Sequence, residues 1–363
     1  MSKYKISVYA ICKNEEKFID RWYNSMKEAD NIYVLDTGSS DNSVEKLKNL
    51  GVIVKQEIIT PWRFDIARNK SLDMVSDDTD ICICTDLDEV FLPGWREKVE
   101  QYWECKTTRG FYNYNWKLDK DDKPLVSFYI EKMHSRFDYE WIYPVHEVLK
   151  YKGNGKERKV LIDEITLNHY PDSSKSRSSY LPLLELSIKE NPLDDRNMHY
   201  LGREYMYYGM WEKSIETLIK HLGLATSTWK DERGASMRFI ARCYKNLGNI
   251  NQSRIWLEKA INETPYLREG YVEYGLLEYE EGNYSNAIIY MNKALKIKKR
   301  YKSYINEEFC YNSTINDVLS ICYFNIKDYK NSLYHVVKAL KFDPNTDRIK
   351  EHKRLIEEYR EYI

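Results

Sequence analysis

The chain has 363 residues, 42% hydrophobic and 14% aromatic, a composition too apolar for disorder and long enough for two or three domains with cores of their own. Lys plus Arg is 56 against 57 for Asp plus Glu, a formal charge of −1; a general polyanion binder needs a basic surplus, so nucleic acid is not an expected partner. No run approaches 18 apolar residues, and the opening Met1–Ile6 lacks the apolar segment of a signal peptide, so the reading is a cytoplasmic chain without a transmembrane segment.

Short apolar runs alternate with amphipathic stretches over residues 1 to about 170. Lys5–Cys12 reads as a strand, Lys17–Met26 as a helix, and Asn31–Asp36 as a second strand closed by the turn cluster Thr37–Asn42. Ser43–Leu50 is a helix stopped at Gly51, Val52–Val54 a third strand, Asp65–Val75 a helix, and Asp80–Thr85 a fourth strand. Cys82 and Cys84 alternate within that strand as small core residues, and the odd total of seven cysteines, without zinc-like doublets, suits reduced thiols. This alternation predicts a mostly parallel sheet with helices on both faces, whose ligands sit at the carboxyl ends of the strands. Those ends carry Lys13–Glu16, Asp36–Ser39 and Asp86–Glu89.

From about residue 195 the pattern changes to helix pairs. Gly202, Ala241, Gly275 and Ser320 are each followed twelve positions later by another small residue, and the steps between them are 39, 34 and 45 residues. Small residues let paired helices approach closely, and stacked pairs bury a continuous core. Tyrosine, 32 of 363 residues, suits such half-buried helix surfaces. The polar, turn-rich stretch Pro171–Ser179 marks a joint, with Tyr180–Ile188 helical. The expected divisions are a sheet domain over 1–172, a linker helix within 173–194, repeats over 195–345 and a capping helix over 346–363.

The sharpest chemical signal is Thr85-Asp86-Leu87-Asp88-Glu89. Two carboxylates at alternate positions after a buried strand can converge on a hard divalent cation such as Mg²⁺ or Mn²⁺, which also takes phosphate oxygens.

With Asn14-Glu15-Glu16, Leu35–Ser43, Phe64–Asn69, this triplet and Pro144-Val145-His146-Glu147 in that order, the chain resembles family 2 glycosyltransferases of the GT-A fold, followed by tetratricopeptide-like repeats. Asn168-His169-Tyr170 is a weaker match. The resemblance extends to bacterial enzymes that glycosylate peptides or proteins. It implies a metal-dependent, inverting transfer of a sugar from a nucleotide-sugar, a UDP-sugar first, to a peptide, protein or glycan. The repeats would recruit the acceptor or a second copy of the chain. It also implies that Asn14, Glu15 and Asp36 line the base and ribose pocket, Arg68 meets base or phosphates, and Asp86 lies near ribose and metal. Asp88 ligates the metal directly, with His146 as third ligand and His134 and His169 as lesser ones. Glu147 is the expected base, with Asp138 and Glu89 behind it. The rival readings are a repeat scaffold with an inactive transferase half and a nucleotidyltransferase; the latter lacks its glycine- and arginine-rich loop after the first strand.

Overall fold

The computed structural model describes residues 2–172 and 178–359. Positions 173–177 of the expected joint and 360–363 of the expected cap lie outside the described residues. The chain forms two compact units, Met1–Glu190 with Lys302–Tyr304, and Asn191–Tyr301 with Ile305–Ile363. The helix after the joint therefore counts with the first unit.

The first unit is built on strands β1 (Ile6–Cys12), β2 (Asn31–Asp36), β3 (Ile53–Gln56), β4 (Ile81–Thr85), β5 (Glu89–Phe91), β6 (Arg109–Leu118), β7 (Pro124–Ser135) and β10 (Lys159–His169), with order β3-β2-β1-β4-β7-β6-β10-β5. A separate hairpin pairs β8 (Tyr139–Ile142) with β9 (Val148–Tyr151). Helices α1 (Ile19–Met26), α2 (Ser43–Asn49), α3 (Phe64–Asp73), α4 (Trp95–Tyr102) and α5 (Tyr180–Glu190) complete the unit. β1 to β4 are parallel, as the apolar runs of β1, β2 and β4 predict. β7 runs antiparallel between β4 and β6, and β5 antiparallel to β10, so the sheet is mixed. The carboxyl ends of β1, β2, β4, β6 and β10 meet the start of β5 at one pole.

Each face of the sheet has its own core. On one, Ile6, Val8, Ile19, Trp22, Phe91, Trp95 and Tyr112 pack together; on the other, Tyr9, Cys82, Cys84, Leu72 and Trp141 do. Burying an indole or phenol needs a partner for its polar tip. Trp22 Nε1 donates to Thr85 Oγ1 at 3.0 Å, which pins the last residue of β4 just before Asp86. Trp141 Nε1 donates to Tyr9 Oη at 2.8 Å, and Tyr9 Oη in turn lies 2.8 Å from His134 Nε2.

The second unit stacks four helix pairs: α6 (Asp195–Tyr207) with α7 (Trp211–Gly223), α8 (Lys230–Asn246) with α9 (Ile250–Glu263), α10 (Arg268–Glu280) with α11 (Tyr284–Lys296), and α12 (Thr314–Asn325) with α13 (Tyr329–Phe342). α14 (Asp347–Glu357) packs on α13. The twelve-residue spacing of small residues is where the paired helices touch. Ser214 Oγ donates to Gly202 O at 2.7 Å, and Ser320 and Ser332 exchange hydroxyl-to-carbonyl bonds at 2.9 and 2.8 Å. A side chain on Gly202 would begin 2.5 Å from Leu218. Gly209, Gly248 and Gly282 turn the chain between partners at φ of +69°, +75° and +75°, a region that suits glycine.

Candidate active site

The β4–β5 turn carries the acidic triplet, and its surroundings divide the two aspartates. Asp86 Oδ1 accepts from Arg68 Nη2 at 2.8 Å and Oδ2 from Lys132 Nζ at 3.0 Å. Burial would raise its pKa, but Arg68 and Lys132 outweigh that and hold the carboxylate well below the usual range. Lys132 comes from β7, in line with the register that sets the neighbouring Met133 against Ile83 of β4. Its ammonium also meets Glu89 Oε1 at 3.1 Å, and Glu89 Oε2 accepts from the Asp86 backbone N–H at 2.9 Å. Burial raises the pKa of Glu89, which is 1% exposed. Burial alone would lower the pKa of Lys132, but Asp86 and Glu89 overcome this and the net shift is upward.

Arg68, on α3 and 4% exposed, uses its fork inside the protein. Nε donates to Glu147, Nη1 lies 3.1 Å from Cys84 Sγ, and the guanidinium stands 5.2 Å from the Trp141 ring centroid. Its partners here are Asp86, Glu147 and Cys84, and the expected contact with base or phosphates stays a proposal. Glu147, the expected base, is ion-paired with Arg68 and is 11% exposed at its side chain.

Asp88 has a different partner, an imidazole. His169, the last residue of β10, pairs in register with Glu89 at the start of β5, and this brings its Nε2 to 3.4 Å from Asp88 Oδ2. His169 Nδ1 bonds the Trp116 carbonyl at 3.0 Å, and the Tyr170 N–H donates to the Asp88 carbonyl at 2.8 Å. A carbonyl acceptor assigns the Nδ1 proton, so Nε2 meets the carboxylate as a donor when the ring is protonated and with its lone pair when the ring is neutral. Burial lowers the pKa of His169, but Asp88 and Glu89 more than reverse this and the net shift is upward.

An imidazole fixed through its second nitrogen, beside a carboxylate at a strand end, fits a divalent cation held by Asp88 Oδ2 and His169 Nε2. Among the described residues no three His, Cys, Asp or Glu side chains converge as a complete cage. Mg²⁺ and related hard cations commonly keep waters and take substrate phosphates, so two protein donors are a workable set. The expected trio of Asp86, Asp88 and His146 does not assemble. Asp86 is held by two protein cations. His146 sits in the β8–β9 loop at φ +51°, its ring edge-on to Tyr180 at 5.7 Å.

The remaining expected residues occupy the ends of β1 and β2. Asn14 Oδ1 accepts from Ser40 N at 2.7 Å, and the Glu15 N–H donates to Ser43 Oγ at 2.9 Å, so the two loops brace each other. Asp36 is fully buried and accepts from the Gly38 and Ser39 N–H groups at 3.2 and 3.1 Å. Its carboxylate therefore shapes the turn. A cavity of about 430 Å³ lies beside this turn, lined by Ser39, Asp41, Asn42, Lys48 and Gln56, and Asp86, Asp88 and His169 do not border it. His134 is a core residue bonded to Tyr9 and the Ser135 carbonyl. Asp138 follows the end of β7 that pairs with the start of β4, at the pole opposite the site. Sequence reading missed Lys132; a lysine followed by Met133 and His134 within a strand that joins the core was the signal available.

Residues 7–148 match the Glycosyl transferase family 2 model, and residues 239–266 and 269–301 match the tetratricopeptide repeat. The first unit thus carries a family 2 glycosyltransferase domain, which implies glycosyltransferase activity, and the second carries tetratricopeptide repeats suited to interaction. The chain is 21% identical over 257 residues to an uncharacterized glycosyltransferase of Rickettsia typhi, covering 70% of this chain and 76% of that protein. Among solved structures it is similar to the Cut9–Hcn1 hetero-tetramer of the APC/C (TM-score 0.41, 16% identity, 51% of this chain) and spans 34% of that chain. It is also similar to a thermophilic tetratricopeptide protein of Thermus thermophilus (TM-score 0.35, 19% identity, 49% of this chain and 89% of that one). No described helix is long and apolar enough to cross a membrane, and all seven cysteines are free thiols, six of them buried.

Proposed function

We propose that the first unit transfers a sugar, with inversion, from a nucleotide-sugar to a peptide, protein or glycan, and that Asp88 and His169 hold the divalent cation this transfer uses. The observation that carries the reading is the facing of Asp88 Oδ2 and His169 Nε2 at 3.4 Å at the ligand-binding pole of the sheet. A bound Mn²⁺ or Mg²⁺ would act as a Lewis acid that offsets charge on the departing diphosphate. The mixed carboxylate–imidazole set favours Mn²⁺, since Mg²⁺ prefers an all-oxygen octahedron.

The chain's own residues then have separate tasks. Asp88 and His169 present the donor atoms. Arg68 and Lys132 neutralise Asp86 and fix the backbone of the turn from which Asp88 projects. Glu147 orients Arg68, a positioning role in place of the expected proton transfer. Asn14, Glu15 and the Asp36 turn form the rim expected to receive the base, with UDP as the first nucleotide to test. The repeats recruit the acceptor or a second copy, which raises the acceptor's local concentration at the site.

The test is a panel of nucleotide-sugars incubated with the full chain and Mn²⁺, read by release of nucleoside diphosphate. One donor is expected to be hydrolysed, with the rate lost in D88A and on chelation. A panel with no turnover under any cation would leave the repeats as the working part. Turnover unaffected by chelator would remove the cation from the account.

A further inference from the structure

In the second unit, the first helices of successive pairs, α6, α8, α10 and α12, pack in sequence along one side. The α7–α8 and α9–α10 connections span residues 224–229 and 264–267, whereas the α11–α12 connection spans 297–313. This long connection accounts for the widest step in the repeat. Its second part, through the short 3-10 turn Glu308–Cys310, lies against α10 and α12 on the side of the first helices. Ile305, Asn306 and Cys310 are buried there.

Two arginines of α8 hold this segment. Arg242 Nη2 donates to Glu307 Oε1 at 2.6 Å, and Arg238 Nη1 reaches the same oxygen at 3.4 Å. Arg238 Nη2 donates to the Ile305 carbonyl at 3.2 Å. The same arginines bind Glu273 of α10, Arg238 Nη1 at 2.5 Å and Arg242 Nε at 2.9 Å. Glu269, one turn earlier, accepts from the Glu307 N–H at 3.4 Å, and its burial raises its pKa. Without Glu307, the two guanidiniums would share the single Glu273 carboxylate as their hydrogen-bonded acid. Glu307 supplies the second carboxylate. Beside it a cavity of about 480 Å³ is lined by Tyr207, Trp211, Arg242, Leu276 and Phe309, with Phe309 coming from the same segment.

We propose that residues 305–309 are an internal stand-in for a peptide ligand. The groove along α8 and α10 takes an extended peptide with a glutamate and, two positions on, a bulky apolar side chain; the glutamate displaces Glu307 from Arg238 and Arg242, and the apolar group fills the adjoining cavity. The tethered segment competes at high effective concentration, so the free groove is a minor state and apparent affinity is reduced in proportion. Acceptor recruitment is thereby restricted to peptides that outcompete the chain's own copy.

The probe is a fluorescein-labelled peptide copying Ser303–Phe309, measured by anisotropy on the full chain, so the result is independent of sugar transfer. E307Q is expected to bind it about tenfold or more tightly than the wild type. A peptide with glutamine in place of the glutamate matching Glu307, or R242Q added to E307Q, is expected to lose that binding. Equal binding to wild type and E307Q, no binding to either, or indifference to the peptide's glutamate would overturn the proposal. If E307Q does not fold by circular dichroism, hydrogen exchange on the wild type decides. Excess peptide should speed exchange of the 305–310 amides, and unchanged exchange would overturn the proposal.

Discussion

The His169 imidazole and the Asp88 carboxylate face each other across 3.4 Å, Nε2 to Oδ2, where β10 ends beside the start of β5. Their facing follows from the antiparallel pairing of those strands, and the Trp116 carbonyl fixes the ring from behind at 3.0 Å. The neighbouring Asp86 has both oxygens on protein cations. The two carboxylates of one short turn therefore have different partners, one on two protein cations and one beside an imidazole.

Lys132 is the counter-charge for two acids, one of them nearly inaccessible. Removing one member of a buried ion pair leaves an uncompensated charge and costs about 3–5 kcal/mol. K132M is expected to destabilise the first unit by about that amount in urea unfolding. Adding E89Q should recover a large part, because the neutral amide does not need the ammonium. A K132M chain as stable as wild type would show that the pair is solvated.

Among the strands legible in the sequence, β1, β2 and β4 are buried on both faces, whereas β3 is largely exposed. β1, β2 and β4 carry unbroken apolar runs, and β2 spans Asn31–Asp36 as read. β7 and β10 escaped because they are partly exposed and carry Glu131, Lys132, Asp163 and Glu164 among their apolar residues. Their place in the sheet is set by pairing between distant segments, which local pattern does not encode. The same gap explains the proposed ligand pair: His169 meets Asp88 only through the β5–β10 register, whereas His146 stood out in a motif and sits beside Tyr180. The repeats were legible because their signal is periodic, small residue to small residue at a spacing that reappears as helix contacts.

Buried His134 gives the first unit an acid sensitivity. Burial lowers its pKa to about 3 from a usual 6.5. A folded-state value below the unfolded one means that the unfolded chain takes the proton first, so stability is complete above about pH 6.5 and falls as pH drops toward 3. The slope approaches ~1.4 kcal/mol per pH unit within that window. Urea unfolding of H134Q should show a shallower loss between pH 6 and 4 than the wild type. Parallel curves would assign the acid sensitivity to other groups.

Helix contact in the repeats depends on glycine at Gly202, where an added Cβ would meet Leu218 Cγ and Cδ2 at 2.5 Å. At Gly275 the nearest atoms are those of Met291, at 2.9–3.2 Å, on an unbranched side chain that can shift. G202A is expected to cost about 1–3 kcal/mol and G275A less. Thermal melts of the two variants test the ranking, and L218A should partly rescue G202A.

Glu147 separates two roles. As a positioning residue for Arg68, its replacement in E147Q should lower kcat without changing the shape of the pH–rate profile, and E147D should restore part of the rate. Loss of one limb of the profile in E147Q would instead make Glu147 the proton acceptor.

The most direct measurement is the electron spin echo spectrum of Mn²⁺ bound to the full chain with UDP, which detects a directly coordinated imidazole nitrogen. The account predicts one such nitrogen coupling in the wild type, lost in H169Q and retained in H146Q. A coupling that survives H169Q, or disappears in H146Q, would contradict it.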